Sequence, residues 1–339
     1  MRYLCKLFIA TFLSMVTYCS FADQSLLKRK DVQHFINQMV KQHHFEKKQL
    51  VAIIKEAQFQ PQIIESMDKP FEKKTWDVYK ALFLTPERVQ AGVDFWQANH
   101  EALARAEKQY GVPAQVIVAI IGVETLYGKH QGTYRVLDAL TTLAFYYPKR
   151  SPFFTKELGE FLLLCREQGV SATQYLGSYA GAMGKPQFMP SSYRYYAVDF
   201  TGNGKKDLMN NDSDAIGSVA NYLHHHGWRM DGGVAQFVKM HGSGYKHLET
   251  NTKMPNYSFK HLIASGVVPT SAVVDHPKKA GLIELFTQNG EEYWLAYPNF
   301  YVITHYNTSP QYALVVYLFS EELYNQWALE HRNNAHPYG

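Results

Sequence analysis

Cysteine is scarce in this chain, with three among 339 residues. Cys5 and Cys19 fall in an N-terminal leader, which leaves Cys165 alone. A single thiol cannot close an internal disulfide, so packing has to hold the fold. Cys165 follows the apolar run Phe161-Leu162-Leu163-Leu164 and reads as a buried small hydrophobe rather than a nucleophile. Charge of one sign is also lacking. The 34 Lys and Arg against 30 Asp and Glu give a net +4, without the basic stripe that nucleic-acid binding requires. No apolar run is long enough to span a bilayer. There is no P-loop, nucleophile elbow, paired CxxC or zinc-protease helix motif, so the common phosphate, serine-hydrolase and zinc chemistries find no signature. Repeats of fixed period and long low-complexity tracts are missing too.

What is present begins with an export signal. Arg2 and Lys6 supply a basic start, Leu7 to Val16 a short apolar stretch, and Ser20-Phe21-Ala22 a cleavage site after Ala22. Its removal takes two basic and no acidic residues, which brings the net charge to about +2. The expectation is a soluble periplasmic protein. The alternative is an outer-membrane lipoprotein anchored through Cys19, although Tyr18 is a bulky residue to precede a lipidated cysteine. The chain is aromatic-rich, with 24 Tyr, 20 Phe and 5 Trp. A flat apolar face with a polar tip suits a sugar ring, yet composition alone speaks for core filling.

Helical spacing dominates the first part, from Ser25 to Asn99, punctuated by Pro61, Pro70 and Pro86. A helix over Ala102 to Tyr110 stops at Gly111, and Pro113 opens the next. That next helix, Pro113 to Val123, is apolar on all sides and belongs inside a core. Thr155 to Glu167 and Asp214 to His225 read as helices, with a Gly-, Tyr- and Pro-rich stretch from Gly177 to Tyr196 between them. Leu282 to Phe286, Asn289-Gly290 and Tyr293 to Tyr297 predict a β-hairpin, Phe300 to His305 a further strand, and Tyr312 to Leu329 a closing helix. The class is mainly α, in the α+β sense, with a small late antiparallel β-element.

Glu124 is the sharpest chemical feature, an acid ending an apolar helix. Burial disfavours a carboxylate and raises its pKa, and a carboxyl still protonated near neutrality can protonate a glycosidic oxygen. Position alone leaves a solvated helix-end Glu equally open. The loop Gly181 to Tyr193 has small residues that admit close backbone approach, and Gln187 can both donate and accept. Asp199 to Asp207 follows the start of an EF-hand-like loop, with Asp199, Thr201, Asn203 and Lys205 at alternate positions, Gly204 at the sixth, and Asp212 and Asp214 further on to close a calcium cage. The twelfth residue is Asn210 rather than Glu, so a simple Gly/Asn turn stays open. His224-His225-His226 point to different faces of a helix and cannot converge on one ion.

These motifs resemble the membrane-bound lytic murein transglycosylase B family. The resemblance runs from Trp76 to Leu318. It is carried by Ile120 to Thr125, Gly181 to Tyr193, Asp214 to Tyr222 and Asn299 to Thr304. It implies an accessory α-domain over 23–110, a lysozyme-like catalytic core over 111–230, a small β-domain with loops over 231–305, and a C-terminal helix over 306–339 that returns to the core. It implies that Glu124 is the only catalytic carboxyl and that the enzyme cleaves the β-1,4 bond from N-acetylmuramic acid to N-acetylglucosamine without adding water, leaving a 1,6-anhydro end. By the same match, Ser178 and Gln187 line the sugar cleft, Lys149 and Arg150 face acidic groups of the peptide stem or lactyl arm, and Tyr79, Tyr222, Tyr306, Asn307 and Tyr312 lie near the glycan subsites. The reaction requires no cofactor, and calcium would be structural. The expected partners are glycan strands of peptidoglycan and proteins of cell-wall synthesis or remodelling, with the chain itself a monomer. Two rival readings stay open. A hydrolytic muramidase would need a second carboxylate, for which Asp138 and Asp199 are the nearest choices. A non-catalytic peptidoglycan-binding protein would have no use for Glu124.

Overall fold

A computed structural model describes residues 26–68, 74–272 and 278–335. The leader expected over residues 1–22, with Cys19, lies outside these residues. The chain divides into two compact units that alternate along the sequence. One comprises 26–68 with Gln131–Met183 and Gln187–Tyr195; the other comprises 74–130 with Gly184–Pro186 and the chain from Tyr196 onward. The linear boundaries expected from sequence do not follow this alternation.

The first unit is helical. Lys30–His43 buries Val32, Phe35, Ile36 and Met39, the i, i+3, i+4, i+7 stripe of an amphipathic helix. Glu46 caps the helix Lys47–Lys55 by accepting from the Gln49 N–H, and Pro61 opens Pro61–Met67. Val136–Tyr146 is buried along almost its whole length and packs against Ser151–Gln168. Its polar residues have fixed partners. Asp138 receives a two-pronged bond from Arg135 and the Gln58 N–H, and Thr142 receives the Gln60 N–H. Cys165 is buried, and burial pushes its thiol up to about 12, as suits an inert core cysteine. A two-residue antiparallel ladder joins β1 (Tyr134–Arg135) to β2 (Leu176–Gly177).

The second unit is built around the helix Ala114–Thr125, in which Val116 through Gly122 are all buried. Pro86–Ala98, His100–Tyr110, Asp212–His225 and the long Pro310–Ala335 pack about it. A five-stranded antiparallel sheet follows, made of β3 (Ala235–Met240), β4 (Tyr257–Ser258), β5 (Val267–Pro269), β6 (Lys279–Thr287) and β7 (Gly290–Ala296), in the order β4-β6-β7-β3-β5. β6 and β7 form the hairpin read from Asn289-Gly290, with Leu282 opposite Leu295 and Thr287 opposite Gly290. Val238, Leu262, Val267, Ala280, Leu282, Leu295 and Tyr297 form the core on one face of this sheet.

One element differs in kind from its expectation. Phe300 to His305 is not a strand but part of the helix Pro298–Tyr306. Its Val, Ile, Thr and aromatic residues favour a strand locally. Pro298 at the first turn and packing against Pro310–Ala335 impose the helix instead. Buried Asn299 anchors it by bonding the backbone of Arg229 and Gly232. No helix among the described residues is long and apolar enough to cross a membrane.

Candidate active site

Glu124 is the next-to-last residue of Ala114–Thr125, and the chain behind it turns sharply. Leu126, Tyr127 and Gly128 have φ of 49°, 60° and 90°, three successive left-handed residues. Two of them carry side chains, so the turn is strained, as backbone at functional sites often is. Several contacts hold it. Thr125 donates to the Lys185 carbonyl at 2.7 Å and accepts the Gly128 N–H at 2.9 Å. Arg88 donates to the Gly122 carbonyl at 3.2 Å, placing a cation at the negative end of the helix dipole. The Tyr127 ring stacks on Phe95, and its phenol sits against Gly92 and Gly122. A Cβ on either glycine would lie 2.4 Å from that oxygen. Glu124 is thus held by the Arg88 and Thr125 hydrogen bonds and by the packing of Tyr127 on Gly92 and Gly122, and only three-dimensional contacts reveal Arg88 and Gly92 as part of the site.

The Glu124 carboxyl lies in a phenolic wall. Tyr312 donates its hydroxyl to Glu124 Oε1 at 2.5 Å. The Tyr306 ring stacks on Tyr312 at 6.4 Å and 11°. Tyr222 meets Tyr306 edge-on at 4.9 Å. Each of the last two rings is pinned at its tip, Tyr306 donating to the Pro186 carbonyl and Tyr222 to the His305 carbonyl. Tyr79 is buried between Trp76 and Phe83 and bears electrostatically on Tyr312. Asn307 accepts the Ser309 N–H and lines a cavity of about 650 Å³ with Thr75, Glu284 and Phe286. Glu124, Tyr79, Tyr222, Tyr306, Asn307 and Tyr312 therefore all belong to the second unit.

Desolvation raises the Glu124 pKa to about 7, against a smaller lowering by the Tyr312 hydrogen bond. Part of the residue still reaches the surface. Burial also lifts the Tyr306 and Tyr312 phenols well above their ordinary value, so both remain neutral donors.

Ser178, Gln187, Lys149 and Arg150 belong to the first unit. Ser178 Oγ accepts the Ala180 and Ala182 N–H groups in a tight turn. Gln187, at φ 50°, donates to the Gln131 carbonyl. Lys149 pairs with Asp68 at 2.7 Å, and Arg150 lies over the rings of Phe153 and Phe154. In the second unit, Lys185 pairs with Asp212 and runs its methylenes over Gly128. This accounts for a long cationic side chain in an otherwise small-residue loop.

Both carboxylates considered as a second catalytic group are otherwise engaged. Asp138 is 3% exposed and is held by Arg135 and Gln58. Asp199 accepts the N–H groups of Gly202, Asn203 and Gly204. Although what burial it has acts the other way, these bonds keep its pKa below the usual carboxylate range.

The same loop bears on calcium. It has the EF-hand alternation and the left-handed Gly204 turn. Asp214, at its far end, is fully buried, with both oxygens accepting backbone N–H groups from Phe200, Thr201 and Asp207. Asn203 is neutral and accepts the Lys205 N–H. Among the described residues no three His, Cys, Asp or Glu converge as a metal site. Of the residues read as calcium donors, Asp199, Asp212 and Asp214 are the carboxylates; Asp212 is paired with Lys185 and Asp214 is fully buried, so the donor set is thin in charge for this ion.

The chain matches the family model described as Transglycosylase SLT domain over residues 28–321. It is 41% identical over 297 residues, 85% of this chain and 81% of the relative, to the membrane-bound lytic murein transglycosylase B of Escherichia coli (strain K12). It superposes on the crystal structure of the soluble lytic transglycosylase SltB1 from Pseudomonas aeruginosa with a TM-score of 0.81 at 43% identity, covering 86% of this chain and 98% of that one. The Escherichia coli lytic transglycosylase Slt35, solved in complex with calcium, aligns with a TM-score of 0.81 at 41% identity, covering 89% and 95%.

Proposed function

Because the chain belongs to the transglycosylase SLT family, lytic enzymes of peptidoglycan with a lysozyme-like core, we propose that Glu124 alone serves its reaction, first as acid and then as base. The observation that carries this reading is a buried carboxyl, raised to about 7 and bonded by a neutral tyrosine.

At neutral pH a large share of Glu124 is protonated. It gives its proton to the glycosidic oxygen as the C1–O4 bond between N-acetylmuramic acid and N-acetylglucosamine breaks. The resulting carboxylate is stabilised by the Tyr312 hydroxyl, whose hydrogen bond favours the charged form. The C6 hydroxyl of the same muramyl ring attacks C1, and its proton passes to Glu124. A 1,6-anhydro end is released and the acid is restored, with no water consumed. An attacking group on the same ring has a high effective concentration, so no second carboxylate is needed to activate water. The engagement of Asp138 and Asp199 in structural bonds supports this over hydrolysis.

In this reading Tyr79, Tyr222, Tyr306 and Asn307 contact the sugars beside Glu124, and Ser178 and Gln187 also bind the glycan. Lys149 and Arg150 attract the acidic stem, Lys149 exchanging Asp68 for a substrate carboxylate. The enzyme works as a periplasmic monomer, and calcium takes no part in the chemistry. The test is mass spectrometry of fragments released from purified peptidoglycan. Fragments one water lighter than reducing muropeptides, and resistant to borohydride, are expected. Reducing ends would contradict it.

A further inference from the structure

A second recess, of about 520 Å³, lies in the unit that carries Glu124 and is separate from it. It is lined by the N-terminal end of Ala114–Thr125, by β3 and β7, by the segment Trp228 to Val234 and by Tyr317 to Glu321. Val116 lines it, and Glu124 lies eight residues further along the same helix, about 12 Å at 1.5 Å per residue. Its volume is in the range of small-ligand pockets.

Three observations define what it would take. First, Trp228 and Trp294 are 8% and 9% exposed, and neither indole N–H finds an acceptor among the described residues. Buried donors in native proteins are nearly always satisfied, so two on one recess call for a ligand or ordered water. Secondly, the lining is aromatic and partly open. Phe237, 37% exposed, meets Trp294 edge-on at 5.3 Å, and Met230 is 57% exposed. Below them Tyr297 donates to Gln236, which donates to Ser271, so the floor is already satisfied and rigid. Thirdly, no Lys, Arg or His lines the recess, and its one ionisable acid is Glu321, whose pKa burial raises. Nothing there would recognise a phosphate or carboxylate.

We propose that this recess is a second sugar site, which holds one uncharged N-acetylated sugar of a glycan strand against Trp228, Trp294 and Phe237. Sugar hydroxyl and amide oxygens accept from the two indoles, the aromatic rings take the C–H face, and Glu321 bonds a hydroxyl. A second hold on a polymer raises its effective concentration at the first site. The choice of sugar rests on the peptidoglycan reading; the presence of a site does not.

The test uses the intact protein with nitrogen-15 in its five tryptophans. Indole signals are assigned by Trp-to-Phe substitution, and the neutral N-acetylglucosamine trimer is titrated in. The Trp228 and Trp294 signals should shift saturably. Trp228→Phe and Trp294→Phe, each removing one hydrogen bond, should weaken that binding about three- to tenfold. Met230→Arg, a change at an exposed position that crowds the mouth, should weaken it without touching the core. The proposal is overturned if these two signals stay still, if they exchange only with ordered water, or if an anionic muramyl peptide moves them more than the neutral trimer. These signals are read independently of cleavage, so a failure of the lytic reading would appear in the released fragments and not here.

Discussion

Replacing Glu124 by Gln separates the two things burial does to this carboxyl. The amide keeps the shape and still accepts from Tyr312, but it cannot give or take a proton at neutral pH. A folded pKa near 7 against 4.5 in the unfolded chain is a raised acid. The folded state therefore holds the proton more tightly, and its stability is full below pH 4.5 and declines as pH rises toward 7. With 1.36 kcal/mol per unit, the carboxylate costs the folded state about 3 kcal/mol above pH 7. Glu124→Gln removes that cost. It should melt with the parent at pH 4 and roughly 5 °C above it at pH 8, the gap opening between these limits. Turnover should fall by at least about 10³-fold, since one residue serves both proton transfers. Melting curves at several pH values, with release of soluble fragments from peptidoglycan, read both effects. A gap that does not change with pH would mean that burial does not raise the Glu124 pKa, and normal turnover would rule out its role as acid and base.

Other outcomes follow from the same geometry. Tyr312→Phe removes the bond that favours the carboxylate, so the alkaline limb of the pH–rate profile should move to higher pH while the rate falls roughly tenfold; a profile that does not move would show that the bond is idle. Gly122→Ala puts a methyl 2.4 Å from the Tyr127 oxygen and 2.8 Å from Phe319, which should cost about 1–3 kcal/mol in denaturant unfolding and displace the turn behind Glu124. Calcium at millimolar concentration should change the melting temperature by less than about 2 °C, because the loop offers it few charged oxygens; a large rise would mean that the loop binds the ion.

Much of the site was legible because its signal is local. An apolar helix that ends in an acid announces a buried carboxyl, and Glu124 is where that pattern breaks. The hairpin was readable from Asn289-Gly290 and alternating residues on either side. What stayed hidden depends on contacts between distant positions. Tyr312 lies 188 residues from its bonding partner. The glycines that admit Tyr127 look like ordinary helix glycines until its ring is seen against them. Trp228 and Trp294 share a recess only because β7 pairs with β3 beyond the Gly232-Gly233 turn. Phe300 to His305 misled because β-branched and aromatic residues suit either a strand or a buried helix, and tertiary packing decided. In the metal loop the spacing follows an EF-hand start, while the residue types supply little negative charge.

In the proposed reaction the C6 hydroxyl of the substrate, and not water, attacks the anomeric carbon. The most direct measurement is digestion of peptidoglycan in water labelled with heavy oxygen, followed by mass spectrometry of the new ends. Unlabelled anhydro ends are the expected result; heavy oxygen at C1 of the new ends would mean that water attacked, and would rule out the intramolecular route.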